Sequence, residues 1–455
     1  MNCIFICIFN QEKYIDMLYL LLESIFIFGN LDKNIEILIY TSTEFMNIIK
    51  QSHLFNDEII KFELNDTYDD IYKSYKAKLD IFNLSLIKTY DKILYLDTDI
   101  IIKDDINKVF NVCQENYLYT LEEGDIKDDN HYWGKKLFGE EINNYNNDTS
   151  AFSTGILLFK NCEKIKELFE KINKDIINIP HFFNDKPFIV YNAFKYNLYN
   201  NKILKSFAVN NDINLLSKKT IHHFPGDPEY YGYKIYIMNI FLNLLKDIII
   251  NNNIKKTKGF ISNYLIPIIN NCGELLEGNI FTYHNTTIYA DLFIDKVKNI
   301  SNLVLNKNIK NVMEIGFNSG FSTLLMLISN PNIKITCYDL GEHKYTIPCY
   351  ELLKEIFKDR INIIIGDSTK TLNNDNMKYD LIHIDGGHTT EIANSDIINS
   401  YRLSKHGTIL IMDDYNFDNL HQLWDNYINE YNLKSLNNMN SYNTHFHDIK
   451  YVSKY

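Results

Sequence analysis

Asp97 and Asp99 stand one residue apart in KILYLDTDIII at 92–102, among the most apolar runs of the chain. Charges accept such surroundings only with a partner. Three readings fit them: a helix N-cap, a solvated strand end leading into Lys103-Asp104-Asp105, or two carboxylates on one side of an extended strand. The first sits poorly with Ile100–Ile102, which continue as strand. In the third the pair repels unless a cation lies between the carboxylates. A divalent ion gripping a nucleotide diphosphate is the common chemical solution.

A second series of acids closes successive strands further on: Asp339, Asp367, Asp385 and the pair Asp413-Asp414. Ahead of them runs Glu314-Ile315-Gly316-Phe317-Asn318-Ser319-Gly320, a strand-to-helix turn whose glycines let backbone approach a ligand. In an open parallel sheet the C-terminal strand ends line the ligand crevice. Taken singly, Asp413-Asp414 also read as a turn or cap, and His388 as a packed or capping residue.

The elements that must position these residues alternate. In the first half the pattern predicts strand CIFICIF, a helix from about Tyr14 to Phe28, strand 35–40 and a helix through the forties. A long helical segment over 68–89, strand KILYL and strand 154–159 follow, giving a mostly parallel sheet with helices on both faces. A helix is also expected over 233–250, amphipathic rather than membrane-spanning because Lys234, Asn239, Asn243, Lys246 and Asp247 interrupt it. The polar, aperiodic INNNIKKTKG around 250–259 reads as the domain boundary. A second α/β series then runs through strands 311–316, 334–339, INIIIGD, 380–385, 408–414 and a final strand in HDIKYVSK, with helices near 348–357 and 391–402.

Composition narrows the function classes. The chain has 455 residues, enough for two or three domains, and a bias to Asn, Ile, Lys and Tyr that suggests AT-rich coding. A net charge of −12 without a long basic block disfavours non-specific binding to a nucleic-acid backbone. Seven scattered cysteines without a C-x-x-C pair suggest reduced thiols in a cytoplasm-like compartment, a host's for a viral chain. MNCIFICIFNQ lacks a basic n-region and reads as a first strand rather than a leader.

KLDIFNLSLIKTYDKILYLDTDIII resembles the signature of glycosyltransferase family 8, the glycogenin and galactosyltransferase-like enzymes of GT-A fold. STGILLF, Asp185-Lys186-Pro187-Phe188 and His223-Phe224-Pro225-Gly226 resemble three further motifs in family order, so the likeness covers about 1–235. It implies retaining transfer from a nucleotide sugar, a UDP-sugar by preference, with Mn²⁺ on Asp97, Asp99 and His223. Lys78 would reach the donor, Asp185 would lie near the transferred sugar, Gly226 would approach the phosphates and Tyr14 would stack on the base. The chain departs from the family at Ser153 and Lys186, which replace Asn and Gln at sugar-contacting positions, and by about three extra residues between Lys78 and Asp97.

The second half, roughly 280–455, resembles class I S-adenosylmethionine-dependent methyltransferases. EIGFNSG looks like their first motif, with Glu314, Gly316 and Gly320, and Asp339 like the acid that binds the ribose. Asp367-Ser368 looks like the adenine-side motif. LIHIDGGHT followed by ILIMDDY is similar to metal-dependent O-methyltransferases of sugars and small hydroxylated molecules. That likeness implies Mg²⁺ on Asp385, Asp413 and Asp414, with His388 as general base.

The expectation is an α/β chain of two domains: a GT-A, Rossmann-like, nucleotide-sugar-binding domain over 1–250, and a class I methyltransferase domain with a seven-stranded sheet over 280–455. Residues 251–279 would be a linker and connecting helix. One chain would transfer a sugar to a glycan or glycoconjugate and O-methylate that sugar or its neighbour. The alternatives are a second half that only docks the acceptor or pairs two chains into a homodimer, and a self-glycosylating primer.

Overall fold

The computed structural model describes residues 1–129, 131–179, 185–226, 231–436 and 444–455. Asp227 and Pro228, which follow the His223-Phe224-Pro225-Gly226 motif, lie outside the described residues. The chain divides into two compact units, Met1–Lys50 with Phe55–Asn243, and Gln51–Leu54 with Leu244–Tyr455.

The first unit is built on β1 (Asn2–Ile8), β2 (Ile35–Thr41), β3 (Ile60–Leu64), β4 (Lys92–Leu96), β5 (Ile100–Ile102), β6 (Leu118–Asp125), β7 (Ser150–Lys160), β8 (Tyr199–Asn200), β9 (Ala208–Asn210) and β10 (Ile221–His223). Seven of them form a sheet in the order β3-β2-β1-β4-β7-β6-β8. β1 to β4 pair in parallel, whereas β7 runs antiparallel to β4 and β6. The interior strand β1 is a near-continuous apolar run whose Cys3 to Ile6 are fully buried, as a strand covered on both faces requires. A second sheet, β5-β10-β9, holds the remaining three.

Two expectations change here. The 68–89 segment is not one helix but a single turn Ile71–Ser74, capped by Asp70, followed by 3₁₀ helices Ala77–Asn83 and Ser85–Thr89. Ala77, Leu79 and Ile81 enter the core at every second residue, so burial overrides a helical stripe. Nor do Asp97 and Asp99 share one extended strand. β4 ends at Leu96, β5 begins at Ile100, and the two acids ride the bend that carries the chain from one sheet to the other.

The second unit contains β11 (Asn311–Ile315), β12 (Lys334–Asp339), β13 (Ile361–Ile365), β14 (Tyr379–Ile384), β15 (Ser404–Asp413), β16 (Lys434–Ser435) and β17 (His447–Tyr451). They form one seven-stranded sheet, β13-β12-β11-β14-β15-β17-β16, parallel except for the last two pairings. The chain is thus mixed α/β with a seven-stranded sheet in each unit. The polar stretch at 250–259 is not irregular: it belongs to helix Tyr231–Phe260. Ile250, Asn253, Ile254, Thr257 and Ile261 are buried at helical spacing, an inward stripe partly made of polar residues. Among the described residues no helix is long and apolar enough to cross a membrane.

Candidate functional sites

In the first unit, strand pairing assembles the acidic cluster. β5 runs antiparallel to β10 with Ile100 opposite His223, and the Phe224 amide donates to the Asp99 carbonyl at 2.9 Å. β7 flanks β4, so the Asp97 amide donates to the Gly155 carbonyl at 2.9 Å. Asp97, Asp99 and His223 are thereby brought together, each with a ligand atom within 4.8 Å of the others. Lys78 reaches the cluster from the first 3₁₀ helix, its Nζ 3.1 Å from Asp185 Oδ2 and 3.6 Å from Asp97 Oδ1. Although burial opposes it, Asp185 and Asp97 raise the Lys78 ammonium above its ordinary range, so it stays charged.

Burial alone would raise the Asp99 carboxyl, but the His223 ring and the Lys234 ammonium outweigh it and hold the group below the ordinary carboxylate range. Lys234 Nζ donates to Asp99 Oδ2 at 2.7 Å. Asp99 Oδ1 is buried without a hydrogen-bond donor and faces His223 Nε2 at 3.3 Å. His223 Nδ1 lies 2.9 Å from Asn210 Oδ1, which fixes the ring and leaves Nε2 for a proton or a metal. Gly155 keeps that space open, since a Cβ there would stand 2.7 Å from the His223 ring and 2.8 Å from Asp97 Oδ2. A buried carboxylate oxygen outside hydrogen-bond geometry, an imidazole nitrogen facing it and a cradle that one methyl would fill together fit a divalent ion.

The other first-half candidates are placed as follows. Tyr14 opens helix Lys13–Phe28, and the Gly226 carbonyl is 3.4 Å from Lys234 Nζ. Lys186 lies 4.2 Å over both the Trp133 and Tyr132 rings.

The second unit holds a cavity of about 790 Å³ lined by Gly316, Asp339, Asp367, Ser368, Asp385, His388 and Asp414, among others. Gly316 has φ +94°, and a Cβ on it would meet the Asp385 carbonyl at 1.8 Å. Only glycine permits that approach. Asp339 accepts from the Phe317, Asn318 and Gly341 amides at 2.9, 2.8 and 2.7 Å, organising the glycine turn from the neighbouring strand. Gly320, φ +76°, starts helix Phe321–Ser329. Asp367 caps helix Ser368–Thr371 through the Thr369 amide.

Glu314 is not part of the cavity wall. It is fully buried, accepts from Thr323 Oγ1 and lies 3.0 Å from His383 Nδ1. His383 Nε2 meets Asp413 Oδ2 at 3.1 Å, and Asp413 Oδ1 pairs with Lys296. Burial would lower the His383 ring, but Asp413 and Glu314 raise it to about 10, so it is an imidazolium. His383, Asp385 and Asp413 lie close enough together to hold an ion, yet both His383 nitrogens are already taken by carboxylates. Asp414 pairs instead with His388, Oδ2 to Nε2 at 2.7 Å. Of the donors expected for Mg²⁺, Asp413 thus has both oxygens engaged and Asp414 has one on His388, so the set does not fit that ion without displacing Lys296.

The sequence offers Lys234 only as an interruption of an apolar helix, and nothing local singles out Lys296 or His383. The available signal was the cost of burying a charge in a core helix or strand.

Residues 22–180 match the family model for glycosyl transferase family 8, and residues 313–415 that for a methyltransferase domain. No curated protein matches. Among solved structures, the apo bifunctional glycosyltransferase WbbM is similar at 18% identity over 52% of this chain and 49% of that one, TM-score 0.38. This chain thus spans about half the length of that relative. Mouse xyloside xylosyltransferase 1, apo form, is similar at 10% identity over 50% of this chain and 99% of that one, TM-score 0.38. The StiE O-methyltransferase region shows 23% identity over 28% of this chain and 46% of that one, TM-score 0.24. The chain carries a glycosyl transferase family 8 segment followed by a methyltransferase domain segment.

Proposed function

We propose that the chain is a bifunctional glycan-modifying enzyme, pairing retaining sugar transfer from a nucleotide sugar with S-adenosylmethionine-dependent O-methylation. The observation that carries the first activity is the cradle at Gly155, where Asp97, Asp99 and His223 converge with a buried carboxylate oxygen still lacking a donor. Mn²⁺ held there would supply charge neutralisation on the departing nucleoside diphosphate. Lys78 adds a fixed positive charge beside Asp97, and Asp185 stands 3.1 Å from Lys78, facing the same space. Lys234 holds Asp99 ionised and oriented through its second oxygen.

In the second unit Gly316, Asp339, Asp367 and Ser368 line the cavity where the cofactor would lie. S-adenosylmethionine would supply a methyl carbon that bonds to the acceptor oxygen while its bond to sulfur breaks and the electron pair stays on sulfur. Asp414 orients the His388 ring through Nε2, which leaves Nδ1 to take the hydroxyl proton. Joining the two activities raises the local concentration of the sugar-bearing product at the second site. The acceptor is a glycan or glycoconjugate, and the compartment is the cytoplasm.

A donor-hydrolysis screen over UDP- and GDP-sugars with Mn²⁺ tests the first activity. Turnover of at least one donor, lost in Asp99→Asn, is expected; no turnover of any sinks it. Calorimetric titration with S-adenosylmethionine tests the second. Binding that disappears in Asp339→Ala supports the reading, and absence of heat in the full-length chain refutes it.

A further inference from the structure

In the second unit we infer that the ammonium of Lys296 occupies the position of the catalytic divalent ion, so that its methyl transfer runs without metal. The inference rests on the methyltransferase reading of that unit and deepens it.

Lys296 belongs to helix Ile294–Val304, far in sequence from the acids it serves. Its side chain is 8% exposed and lines the cavity together with Asp385, His388 and Asp414. Its Nζ pairs with Asp413 Oδ1, on a side chain that is itself fully buried. That same oxygen accepts the Asp414 amide at 2.7 Å, while Oδ2 faces His383 Nε2 at 3.1 Å. Asp413 thus has no oxygen left without a partner. Asp414 is turned by a left-handed backbone, φ +53°, and its carboxylate is committed to His388.

For a divalent ion to bind, Asp413 would have to release both Lys296 and His383. The Lys296 ammonium would then be left buried beside a new double charge, an unfavourable use of a low-dielectric pocket. With Lys296 in place the cluster already has its cation, on the cavity wall where an acceptor hydroxyl would lie. An ammonium there donates to the hydroxyl oxygen and favours its ionised form, the task a metal performs in metal-dependent relatives. It is a point charge with three donors rather than a Lewis acid, so it stabilises oxyanion without fixed coordination geometry.

Mn²⁺ titration of the full-length chain followed by electron paramagnetic resonance tests this, using Asp97→Asn/Asp99→Asn to silence the first unit. Expected are no bound Mn²⁺ at 1:1 stoichiometry in that variant, and S-adenosylmethionine binding that EDTA leaves unchanged. Adding Lys296→Gln should create a Mn²⁺ site that Asp385→Asn removes. One Mn²⁺ per chain in the Asp97→Asn/Asp99→Asn variant, lost on adding Asp385→Asn, would overturn the inference whether or not the Lys296 variant folds. Loss of S-adenosylmethionine binding, by contrast, would strike the methyltransferase reading itself.

Discussion

Asp99 in the first unit and Asp413 in the second are both buried aspartates at a strand boundary, and each meets a lysine from a distant helix, Lys234 or Lys296. Around Asp99 the arrangement is left incomplete. Oδ1 has no donor, His223 points a ring nitrogen at it from 3.3 Å, and Gly155 withholds the Cβ that would fill the gap. Around Asp413 the arrangement is closed, because His383, Lys296 and the Asp414 amide use both oxygens. Similar acid motifs are therefore completed differently: the first keeps an acceptor oxygen in reserve, and the second is closed by the chain's own lysine. The surplus acceptor, not the number of aspartates, marks a metal site.

The bluntest way to break this contrast is to remove divalent ions. EDTA should abolish nucleotide-sugar turnover and change methyl transfer by less than about twofold, since the second cluster keeps its covalently attached cation. Equal losses in both assays would end the comparison.

His388→Ala should lower methyl transfer by about 10²–10⁴-fold, the range for a lost general base, with S-adenosylmethionine affinity nearly unchanged. A comparable fall in cofactor affinity would move His388 from proton transfer to binding. Gly155→Ala should cut donor turnover at least about 100-fold through a small displacement of His223 and Asp97. Cofactor titration of the second unit should be unaffected and serves as the folding control.

The smallest effect concerns Asp396, an acid in which burial favours the protonated form. It stands 2.7 Å from where a Gly386 Cβ would lie, and burial raises its carboxyl to about 6 with Ser368 only partly opposing. A carboxyl raised on folding contributes stability below pH about 4 that is lost as pH climbs through about 6. Asp396→Asn should thus leave the melting temperature unchanged near pH 4 and raise it at pH 8, by up to about 3 kcal/mol of stability. A shift of equal size at both pH values would mean that packing, not ionisation, is responsible.

The alternating strands and helices were legible because their apolar periods differ, and so were the seven-stranded sheet of the second half and its glycine turn. The 68–89 segment carries a helical pattern in sequence but folds otherwise, because its side chains answer to a core they meet only in the folded chain. The helix through 250–259 is not legible locally, because Asn253 and Thr257 are buried where an apolar residue would have announced the stripe. Glu314 belongs by motif with the glycine turn, yet it is fully buried against His383 of the neighbouring strand.

The sequence by itself determined the order of the two halves, the acids at the strand ends and the glycines that permit close approach, since these follow from local period and residue type. Only the tertiary structure decided which charges meet. Lys234 lies 135 residues from Asp99, and His383 lies 30 residues from Asp413. No local pattern records those encounters, because they are set by strand order and helix packing. In a low-dielectric interior it is the encounter, rather than the residue, that determines whether a carboxylate holds a metal, a lysine or a proton.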